Sequence, residues 1–559
     1  MEAPPPCVVY EDGHVLVVNK PCGLNTHAPA VFAVDGLYDW LRRREPRWSK
    51  LAILHRLDKD TSGLLVFGLS PEANRSLTQA FTERKVEKEY TLLTAGSTRS
   101  LETLTPAPLA RGVVTVTRQS NGWVRVASSI ARRGDCYACV APETKGAADA
   151  VTLFRLFRAG GEYNVVAAQP QTGRTHQIRV HAAAMGFPIL GDTLYGGENS
   201  WRVFLHASSL AFIHPGTAAK TEFRSDLADA PEHPVLWGVP RAMLHCNDTD
   251  IARLVHGERT YIDCMADTVL IQAERDVSQE EATRWLHTSP LGRTVQRVMV
   301  KRLRRDVRVA APAEDMSPRH VAGESSEPAC VVRENGVLYE LRLTEGYSVG
   351  LFHDQRENRR AIRRNFMGPD FGALFPAGHD AGAQRPEVLN CFAYTCAFSV
   401  CAALAGARAT SLDLSRKYLS WGAANFALNG IDATQHDFIF GDAFDWMARL
   451  SRKGRLFDVV LLDPPTFSTS NKDARRFSAE RDMGALVSAA LGVLKPGGVL
   501  LCSTNAARLT PQALLKDIDT AVQAAGRSVT RQLFVTQPPD FAGHNSDPPY
   551  LKCVWCRVE

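Results

Sequence analysis

The sequence EVLNCFAYTCAFSVCAALAGARATSLD, residues 387–413, contains two short apolar segments separated by a longer stretch. Glu387–Cys391 and Ala409–Asp413 have the length of buried strands, and the residues between them have a helical pattern. A strand, a helix and a second strand in this order predict two parallel strands joined by a crossover helix. Parallel sheets of this kind bind ligands beyond the carboxyl ends of their strands.

The same alternation continues towards the end of the chain. Further strand-like segments lie at His436–Phe440, Phe457–Asp463 and Gly498–Ser503, with helical patterns between them. From about Pro386 onwards the sequence therefore predicts an α/β domain of the Rossmann-like, doubly wound type.

The first part of the chain has a different pattern. VVYEDGHVLVVNK, residues Val8–Lys20, alternates around an Asp-Gly pair and predicts a β-hairpin. A helix is predicted over Pro71–Arg84. More strand-like segments occur at Leu64–Leu69, Tyr90–Leu93, Val151–Phe157, Glu162–Ala168 and Phe204–Ile213. This part is predicted to be an α+β fold with a mixed, mostly antiparallel sheet.

A change of composition at Gly216–Pro234, rich in Pro, Gly, Asp and Ala, predicts a domain boundary. We therefore expect three domains, at residues 1–225, 235–345 and 346–559. The middle one is predicted to be a small α+β domain that binds RNA or another substrate. Its predicted elements are strands at Thr268–Ala273, Val298–Arg302 and Val337–Leu343, a helix at Gln279–Leu286 and a loop at Ala310–Pro328.

Composition limits the classes of function. The 559 residues are 45% hydrophobic and 22% charged, which is typical of a folded globular protein and excludes a disordered chain. No apolar run reaches the ~20 residues of a membrane-spanning helix, so no membrane association is expected. Thirteen scattered cysteines without a secretory signal predict a reducing, cytoplasmic compartment. We predict no metal site.

Three short motifs in the first part belong together. They are HRLDKDTSGLL at His55–Leu65, Lys88–Tyr90, and QTGRTHQIRVH at Gln171–His181. Each alone has an ordinary explanation, because an Asp near an Arg is usually a surface ion pair and a Tyr in a strand is usually core. Together and in this order, with Asn19-Lys20-Pro21 before them, they resemble the RluA-type pseudouridine synthases over about residues 8–225.

This resemblance implies the isomerisation of uridine to pseudouridine in RNA, without a cofactor. It implies that Asp58 is the catalytic carboxylate and that Arg179 is the arginine that pairs with it. Tyr90 matches the tyrosine that stacks on the base and is thought to act in proton transfer, and Arg56 matches the arginine that helps to extrude the base. A stacked base is out of reach of a carboxylate, so the nucleotide must be flipped out.

A second set of residues follows the strands of the distal part. Asn390 and Tyr394 lie at the first strand-to-helix turn, Asp413 and Asp442 follow the next two strands, and Asp463-Pro464-Pro465 follows the fourth. A single acidic residue after a strand is often a helix cap. Successive acidic residues at one sheet edge resemble the class I S-adenosylmethionine-dependent methyltransferases.

That resemblance implies S-adenosylmethionine as the cofactor of the distal part. Asp413 is expected to bind the ribose hydroxyls and Asp442 the adenine amino group. The turn around Tyr394–Ala397 is expected to let the backbone approach the methionine portion, and Asn390 is expected to be a further cofactor-site residue. Asp463 is expected where the methyl group meets its acceptor. The chain departs from the family pattern at Cys396, where relatives have a glycine that permits close approach or positive φ.

A closer resemblance, strong from about residue 345, is to large-subunit rRNA methyltransferases of the RlmI/RlmK kind. Gly350–Arg356, which includes Gln355 as a further cofactor-site residue, matches their motif before the nucleotide-binding sheet. Asp463–Ser468 and Tyr550–Lys552 match as well.

The methylated atom is open to two interpretations. Cytosine C5 methylation requires a cysteine thiolate that adds to the ring. Relatives with that activity have Ser-Cys-Ser after the fifth strand, where this chain has Cys502-Ser503-Thr504-Asn505. Asn505 stands in place of the cysteine, which favours guanine N7, and the nearby Cys502 keeps cytosine C5 as an alternative. A further alternative is an inactive, RNA-binding or ribosome-assembly role for the distal part.

Two basic clusters, Lys301–Arg305 and Arg356–Arg364, are predicted to contact RNA phosphates. The sequence as a whole predicts a bifunctional RNA-modifying enzyme. Its expected partner is large-subunit rRNA, with tRNA as an alternative for the first site, and no obligate protein partner is evident.

Overall fold

The structure is a computed structural model. It describes residues 5–160, 162–227, 244–245, 248–257, 259–303, 317–324, 329–344, 348–376, 385–469, 476–541 and 549–559. Contacts divide the chain into two compact units. The first unit contains residues 1–27 and 50–244, and the second contains residues 28–49 and 245–559. Residues 28–49, which include helix α1 (Leu37–Arg44), thus belong to the second unit although they precede most of the first.

The first unit is built on one large sheet. Its strands are β1 Val8–Glu11, β2 Val15–Lys20, β3 Ala52–Ile53, β4 Ser62–Gly68, β5 Glu87–Thr94, β6 Val114–Arg118, β7 Val124–Arg133, β8 Cys136–Val140, β9 Ala148–Arg158, β10 Asn164–Pro170, β11 Leu205–Ile213 and β12 Lys220–Arg224. The order along the sheet is β1-β2-β4-β11-β5-β10-β9-β7-β6, while β3, β8 and β12 pair with β4, β7 and β11. All of these pairs are antiparallel except β4 with β11, which confirms the predicted mixed, mostly antiparallel sheet.

The parallel pair β4–β11 explains a glycine in the first motif. Gly63 has φ +114°, and a Cβ atom there would lie 2.4 Å from the backbone nitrogen and oxygen of Ala207. Only glycine therefore allows β4 to approach β11 this closely. The loop that carries Asp58 enters β4 directly before this point.

In the described part of the first unit, three α-helices pack on or beside this sheet. They are α2 Pro71–Thr82, α3 Ser100–Thr103 and α4 Gln177–Ala184. Helix α2 begins where the sequence predicted, since the Ser70 side chain accepts a hydrogen bond from the Ala73 amide and Pro71 occupies the first turn. Its Ala73 and Leu77 side chains are buried in the core beneath β2 and β4.

After residue 245 the second unit continues with two small sheets, in which every described pair is antiparallel except β15 with β16. The strands are β13 Ile251–His256, β14 Thr260–Met265, β15 Thr268–Ala273, β16 Arg297–Arg302, β17 Arg319–Gly323, β18 Ala329–Glu334 and β19 Val337–Arg342, with helix α5 at Gln279–Thr283. Strands β13 to β17 form one sheet in sequence order, and β18 and β19 form a hairpin. The predicted loop Ala310–Pro328 lies partly outside the described residues. In its described part the prediction of a loop is wrong, because this part contains β17.

A parallel sheet dominates the rest of the second unit. Its strands are β20 Glu387–Cys391, β21 Arg408–Asp413, β22 Asp437–Phe440, β23 Phe457–Leu462, β26 Leu494–Thr504, β27 Val529–Val535 and β28 Lys552–Val558, and a separate hairpin consists of β24 Phe467–Thr469 and β25 Arg476–Ser478. The order is β22-β21-β20-β23-β26-β28-β27, with β28 antiparallel to both neighbours. This confirms the predicted Rossmann-like fold.

The crossover helices cover both faces of this sheet. These helices are α7 Ala397–Leu404, α8 Arg416–Leu428, α9 Ala443–Arg452, α10 Ala479–Leu491 and α11 Pro511–Ala524. A further helix, α6 Arg356–Arg364, precedes the first strand of the sheet. Two clusters of buried apolar side chains, one on each face, form the core. Across the described ranges, every helix is too short or too polar to span a bilayer.

Candidate active sites

A cleft of about 920 Å³ in the first unit collects the residues of the first motif set. Arg56 and Asp58 line it from the loop between β3 and β4, Tyr90 from β5, and His176 and Arg179 from the start of α4. Three segments distant in sequence therefore meet at one concave surface, as their joint occurrence predicted.

The loop that carries Asp58 is held by buried polar contacts. The Thr26 hydroxyl donates to the carbonyl of Leu57 at 2.9 Å and accepts from the Leu57 amide at 3.1 Å. The Lys20 ammonium, which is fully buried, donates to the carbonyls of Lys59 at 3.1 Å and Leu24 at 2.7 Å. Burial lowers the pKa of Lys20 to about 7, and the nearby acidic groups partly oppose that shift. These contacts leave Asp58 partly exposed to the cleft.

Tyr90 is nearly buried beside the carboxylate. Its pKa is raised well above the usual value, first because of burial and then because of the negative charge of Asp58. The phenol is therefore protonated at neutral pH, so it can donate a proton or a hydrogen bond but does not start as a base.

Arg179 makes its direct ion pair with a different residue from the one expected. Among the described residues its partner is Asp192, which accepts from Nε at 2.7 Å and from Nη2 at 2.6 Å. Burial lowers the pKa of Arg179, but the hydrogen bonds and charge of Asp192 outweigh this, and Asp58 adds a smaller upward shift. The direct Arg179–Asp58 contact expected from the sequence is absent from these residues, and the two interact through space.

His176 extends the same group of side chains. It adopts φ +56° directly before α4, and its Nδ1 lies 2.8 Å from the Tyr195 hydroxyl. That hydroxyl also accepts from the Tyr137 amide at 3.0 Å. Burial and then the charge of Arg179 lower the pKa of His176, so the ring is neutral at pH 7. Asp192 and Tyr195 lie outside the three motifs of the sequence analysis, and nothing in their spacing shows which side chains they contact.

In the second unit, the first strand-to-helix turn is unusual in its backbone. Phe392, Tyr394 and Cys396 all have positive φ, at +59°, +49° and +61°. Cys396 thus occupies the left-handed conformation that a glycine would adopt more easily. Its thiol fits because Gly422 on α8 has no side chain, since a Cβ there would lie 2.3 Å from the Cys396 sulfur.

Asp413 holds this turn in place. Its two carboxylate oxygens accept from the amides of Tyr394 and Ser415, each at 2.8 Å. Burial raises the pKa of Asp413, and the two amide hydrogen bonds partly oppose this. Each oxygen retains a free lone pair, which fits the expected contact with ribose hydroxyls.

Two expected cofactor residues have structural partners. Asp442 caps helix α9, because its Oδ1 accepts from the amides of Phe444 at 2.9 Å and Asp445 at 3.2 Å. Asn390 is 1% exposed and donates to the Ser399 hydroxyl at 3.0 Å. Asp442 is therefore a helix cap, and its Oδ2 takes part in neither capping hydrogen bond. Asn390 supports the first strand-to-helix turn from the interior.

Gln355 and Asp463 are brought together as a pair. Gln355 Nε2 donates to Asp463 Oδ1 at 3.0 Å and to the Ser503 hydroxyl at 2.6 Å. Asn358 donates to the Gln355 carbonyl oxygen at 2.6 Å, which fixes the orientation of the amide. Burial raises the pKa of Asp463 to about 6, although the bonds from Ser503 and Gln355 lower it. Ser503 and Asn358 were not predicted, because their role depends on the fold.

Three arginines of the predicted basic clusters are buried instead of facing solvent. Arg356 and Arg359 are buried in bidentate ion pairs with Asp540 and Glu334. Arg360 is also buried and pairs with Glu45. In the other cluster Lys301 is 4% exposed, and Arg304 and Arg305 lie outside the described residues. The prediction that Arg356, Arg359 and Arg360 contact phosphates is therefore wrong.

Comparisons with known proteins identify two different families in the two parts of the sequence. Residues 14–184 match the RNA pseudouridylate synthase family, and residues 304–554 match an S-adenosylmethionine-dependent methyltransferase family. The ribosomal large subunit pseudouridine synthase C of Salmonella typhimurium is 32% identical over 234 residues, 40% of this chain and 67% of that protein.

Two relatives match the methyltransferase part. The ribosomal RNA large subunit methyltransferase K/L of a Psychrobacter species is 43% identical over 178 residues, 31% of this chain and 20% of that protein. A putative ribosomal RNA large subunit methyltransferase of Bacillus subtilis, YwbD, is 34% identical over 237 residues, 42% of this chain and 55% of that protein. The chain thus spans a fifth and about half of the lengths of these two relatives.

Proposed function

Because the chain belongs to the RluA-type pseudouridine synthases in its first part and carries a class I S-adenosylmethionine-dependent methyltransferase in its second, we propose that it is a bifunctional RNA-modifying enzyme. The first site isomerises uridine to pseudouridine, and the second methylates a base of large-subunit rRNA. The observation that supports this most is that Asp58, Tyr90 and Arg179 line a single cleft.

The proposal includes the organisation of the chain. The three domains are residues 1–225, 235–345 and 346–559, with the middle one binding RNA beside the methyltransferase. The protein acts in the cytoplasm, where its relatives' named substrate, ribosomal RNA of the large subunit, is made.

In the pseudouridine site, Asp58 is the nucleophilic carboxylate and needs no cofactor. The reaction breaks the bond from uracil N1 to ribose C1′ and joins C5 to C1′, so the proton on C5 is released and N1 gains one. Arg179, held by Asp192, stabilises the negative charge of the Asp58 carboxylate. The protonated Tyr90 packs beside the flipped base. Arg56, exposed in the same cleft, fills the space that the base leaves in the RNA.

Release of the C5 proton gives a direct test. RNA transcribed with uridine tritiated at C5 should lose tritium to water when incubated with the protein. Asp58→Asn keeps the size of the side chain and removes the nucleophile, so release should stop. Tritium release by this variant at the wild-type rate would contradict the assignment of Asp58.

In the methyltransferase site, the chain fits S-adenosylmethionine at the carboxyl edge of its sheet. Asp413 would offer carboxylate lone pairs to the ribose, and Asp442 Oδ2 would accept from the adenine amino group. The turn at Tyr394, supported from the interior by Asn390, would hold the methionine portion. When bound, the cofactor supplies an electrophilic methyl group. Gln355 and Asp463, which are hydrogen-bonded to each other, would hold the acceptor base.

We infer guanine N7 as the acceptor. Methylation there places positive charge on the purine ring and releases no proton, so it needs a nearby carboxylate rather than a nucleophile, and Asp463 supplies one. Cytosine C5 chemistry needs a reactive thiolate. Cys502 is fully buried in the core on one face of the sheet, and burial raises the pKa of its thiol far above the usual value.

The test is chemical cleavage of methylated RNA. Large-subunit rRNA methylated by the protein with labelled S-adenosylmethionine should be cut by borohydride and aniline, which cleave at N7-methylguanosine. Label that stays in uncleaved RNA and is recovered as 5-methylcytidine would contradict the assignment of the base. Absence of any transferred label would favour the inactive RNA-binding role.

A further inference from the structure

Helix α6 (Arg356–Arg364) contains five arginines in nine residues, yet three of them are buried. Arg356 and Arg359 are 2% exposed and pair with Asp540 and Glu334, which lie in the second unit after residue 245. Arg360 is 3% exposed, and its partner comes from elsewhere in the chain. A buried guanidinium needs such a partner, because an uncompensated buried charge is strongly unfavourable.

The partner of Arg360 is the segment of residues 28–49, which we call the docking segment. Glu45 Oε1 accepts from Arg360 Nη2 at 2.5 Å, and the carbonyl of Arg44 accepts from Nη1. Arg44, itself buried, lies 3.5 Å from the Glu357 carboxylate. The docking segment therefore contacts α6 through two ion pairs of opposite polarity and one hydrogen bond to a backbone carbonyl.

Further contacts fix the docking segment along the second unit. Arg42 lies 3.6 Å from the Asp370 carboxylate. The ring of Phe32 packs edge-on against Phe534 of β27, with 5.0 Å between centroids. In sequence, however, these residues stand between Asn19-Lys20-Pro21 and His55–Leu65, the first two motifs of the pseudouridine synthase.

Helix α6 leads directly into the methyltransferase site. Gln355 immediately precedes it and donates to Asp463 and Ser503. Asn358, on the first turn of α6, holds the Gln355 amide at 2.6 Å and is itself held by the Trp555 indole at 2.9 Å. Any shift of α6 would therefore move the Gln355–Asp463 pair.

We propose that the docking segment positions α6, and through it Gln355 and Asp463, for methyl transfer. The methyltransferase site is then complete only when this stretch of pseudouridine synthase sequence lies on the same chain. Glu45 is a positioning residue, which touches neither cofactor nor RNA. The effect on catalysis rests on the proposed methyltransferase function, whereas the docking itself does not.

The test uses the full chain with Glu45→Gln, which keeps the size of the side chain and removes its charge. The matched control is Glu83→Gln, which neutralises an exposed carboxylate paired with Lys85 at 2.6 Å. With Glu45→Gln we expect kcat for methyl transfer to fall between about 10-fold and 100-fold, as small misplacements at a site do, with little change in KM for S-adenosylmethionine. Pseudouridine formation by the same sample should match that of the control.

Hydrogen–deuterium exchange of residues 353–364 supplies a readout independent of activity. Faster exchange there in Glu45→Gln than in the control is expected, and unchanged exchange overturns the docking even if the wild type transfers no methyl group. Unchanged kcat with faster exchange overturns the positioning role. If both activities of Glu45→Gln fall together, a charge-reversed double variant, Glu45→Arg with Arg360→Glu, is the deciding experiment. Recovery of methyl transfer in this double variant supports the proposal, and no recovery overturns it.

Discussion

The ion pair between Arg179 and Asp192 is buried beside the pseudouridine cleft, so Asp192→Asn is an informative perturbation. The two side chains are 5% and 1% exposed, and both Nε and Nη2 of the guanidinium donate to the carboxylate. The asparagine retains the shape and one acceptor oxygen but removes the charge. Arg179 is then left buried, and among the remaining carboxylates Asp58 has the largest electrostatic effect on it.

Burial decides the size of the effect. Breaking a buried ion pair by removing one partner costs about 3–5 kcal/mol, whereas an exposed pair contributes about 0–1 kcal/mol. The first unit contains both cases at the same separation. Lys85 and Glu83 are also 2.6 Å apart, but they are 73% and 37% exposed. Asp192→Asn should therefore destabilise the first unit by about 3 kcal/mol or more, and Glu83→Gln by less than about 1 kcal/mol.

Native-state hydrogen exchange of α4 measures this difference locally. A loss of about 3 kcal/mol corresponds to exchange that is faster by about two orders of magnitude. Tritium release from C5-labelled RNA should fall as well, because Arg179 is no longer held beside Asp58. Equal exchange rates for Asp192→Asn and Glu83→Gln would refute the argument that burial makes this pair important.

Other predictions test the remaining parts of the account. Gly63→Ala should destabilise the first unit by about 1–3 kcal/mol or more in chemical denaturation, because its Cβ would overlap the Ala207 backbone. The rate of methyl transfer should increase with pH around a midpoint near 6, because burial raises the pKa of Asp463 to about 6 and the ionised carboxylate is the active form. Asp463→Asn should be slow, and its rate should lack this increase near pH 6. Cys502→Ala should retain methyl transfer in the labelled S-adenosylmethionine assay, whereas a cytosine C5 enzyme that used this thiol would lose it. Gly422→Ala should weaken S-adenosylmethionine binding in calorimetry by displacing the Cys396 turn, and Cys396→Gly in the same chain should restore it.

Local patterns were sufficient to predict much of the fold. The hairpin at Val8–Lys20 and the strand Glu387–Cys391 were recognised because alternation or an apolar run of strand length is encoded in adjacent residues. Strands β6 to β8 were not predicted, because several of their residues are half-exposed and polar, so their pattern is weak. The separate hairpin of β24 and β25 was also missed, since each strand has only three residues.

Site residues could be predicted only as far as motifs reveal them. Asp58, Tyr90 and Arg179 do meet in one cleft, but the direct partner of Arg179 depends on where residues 191–192 return to α4, and no local pattern encodes that. The arginines of α6 were misinterpreted for a related reason. Charge along a helix shows that it is basic, whereas Glu45, Glu334 and Asp540, which bury those charges, are distant in sequence.

The central claim is that one chain makes two different RNA modifications at two separate sites. The most direct measurement maps pseudouridine and N7-methylguanosine in the rRNA of a strain that lacks this gene and carries either Asp58→Asn or Asp463→Asn on a plasmid. The account predicts that Asp58→Asn restores the methylated base without the pseudouridine, and that Asp463→Asn restores the pseudouridine without the methylated base. If either variant restored both modifications, or if the wild-type gene restored only one, the claim would be contradicted.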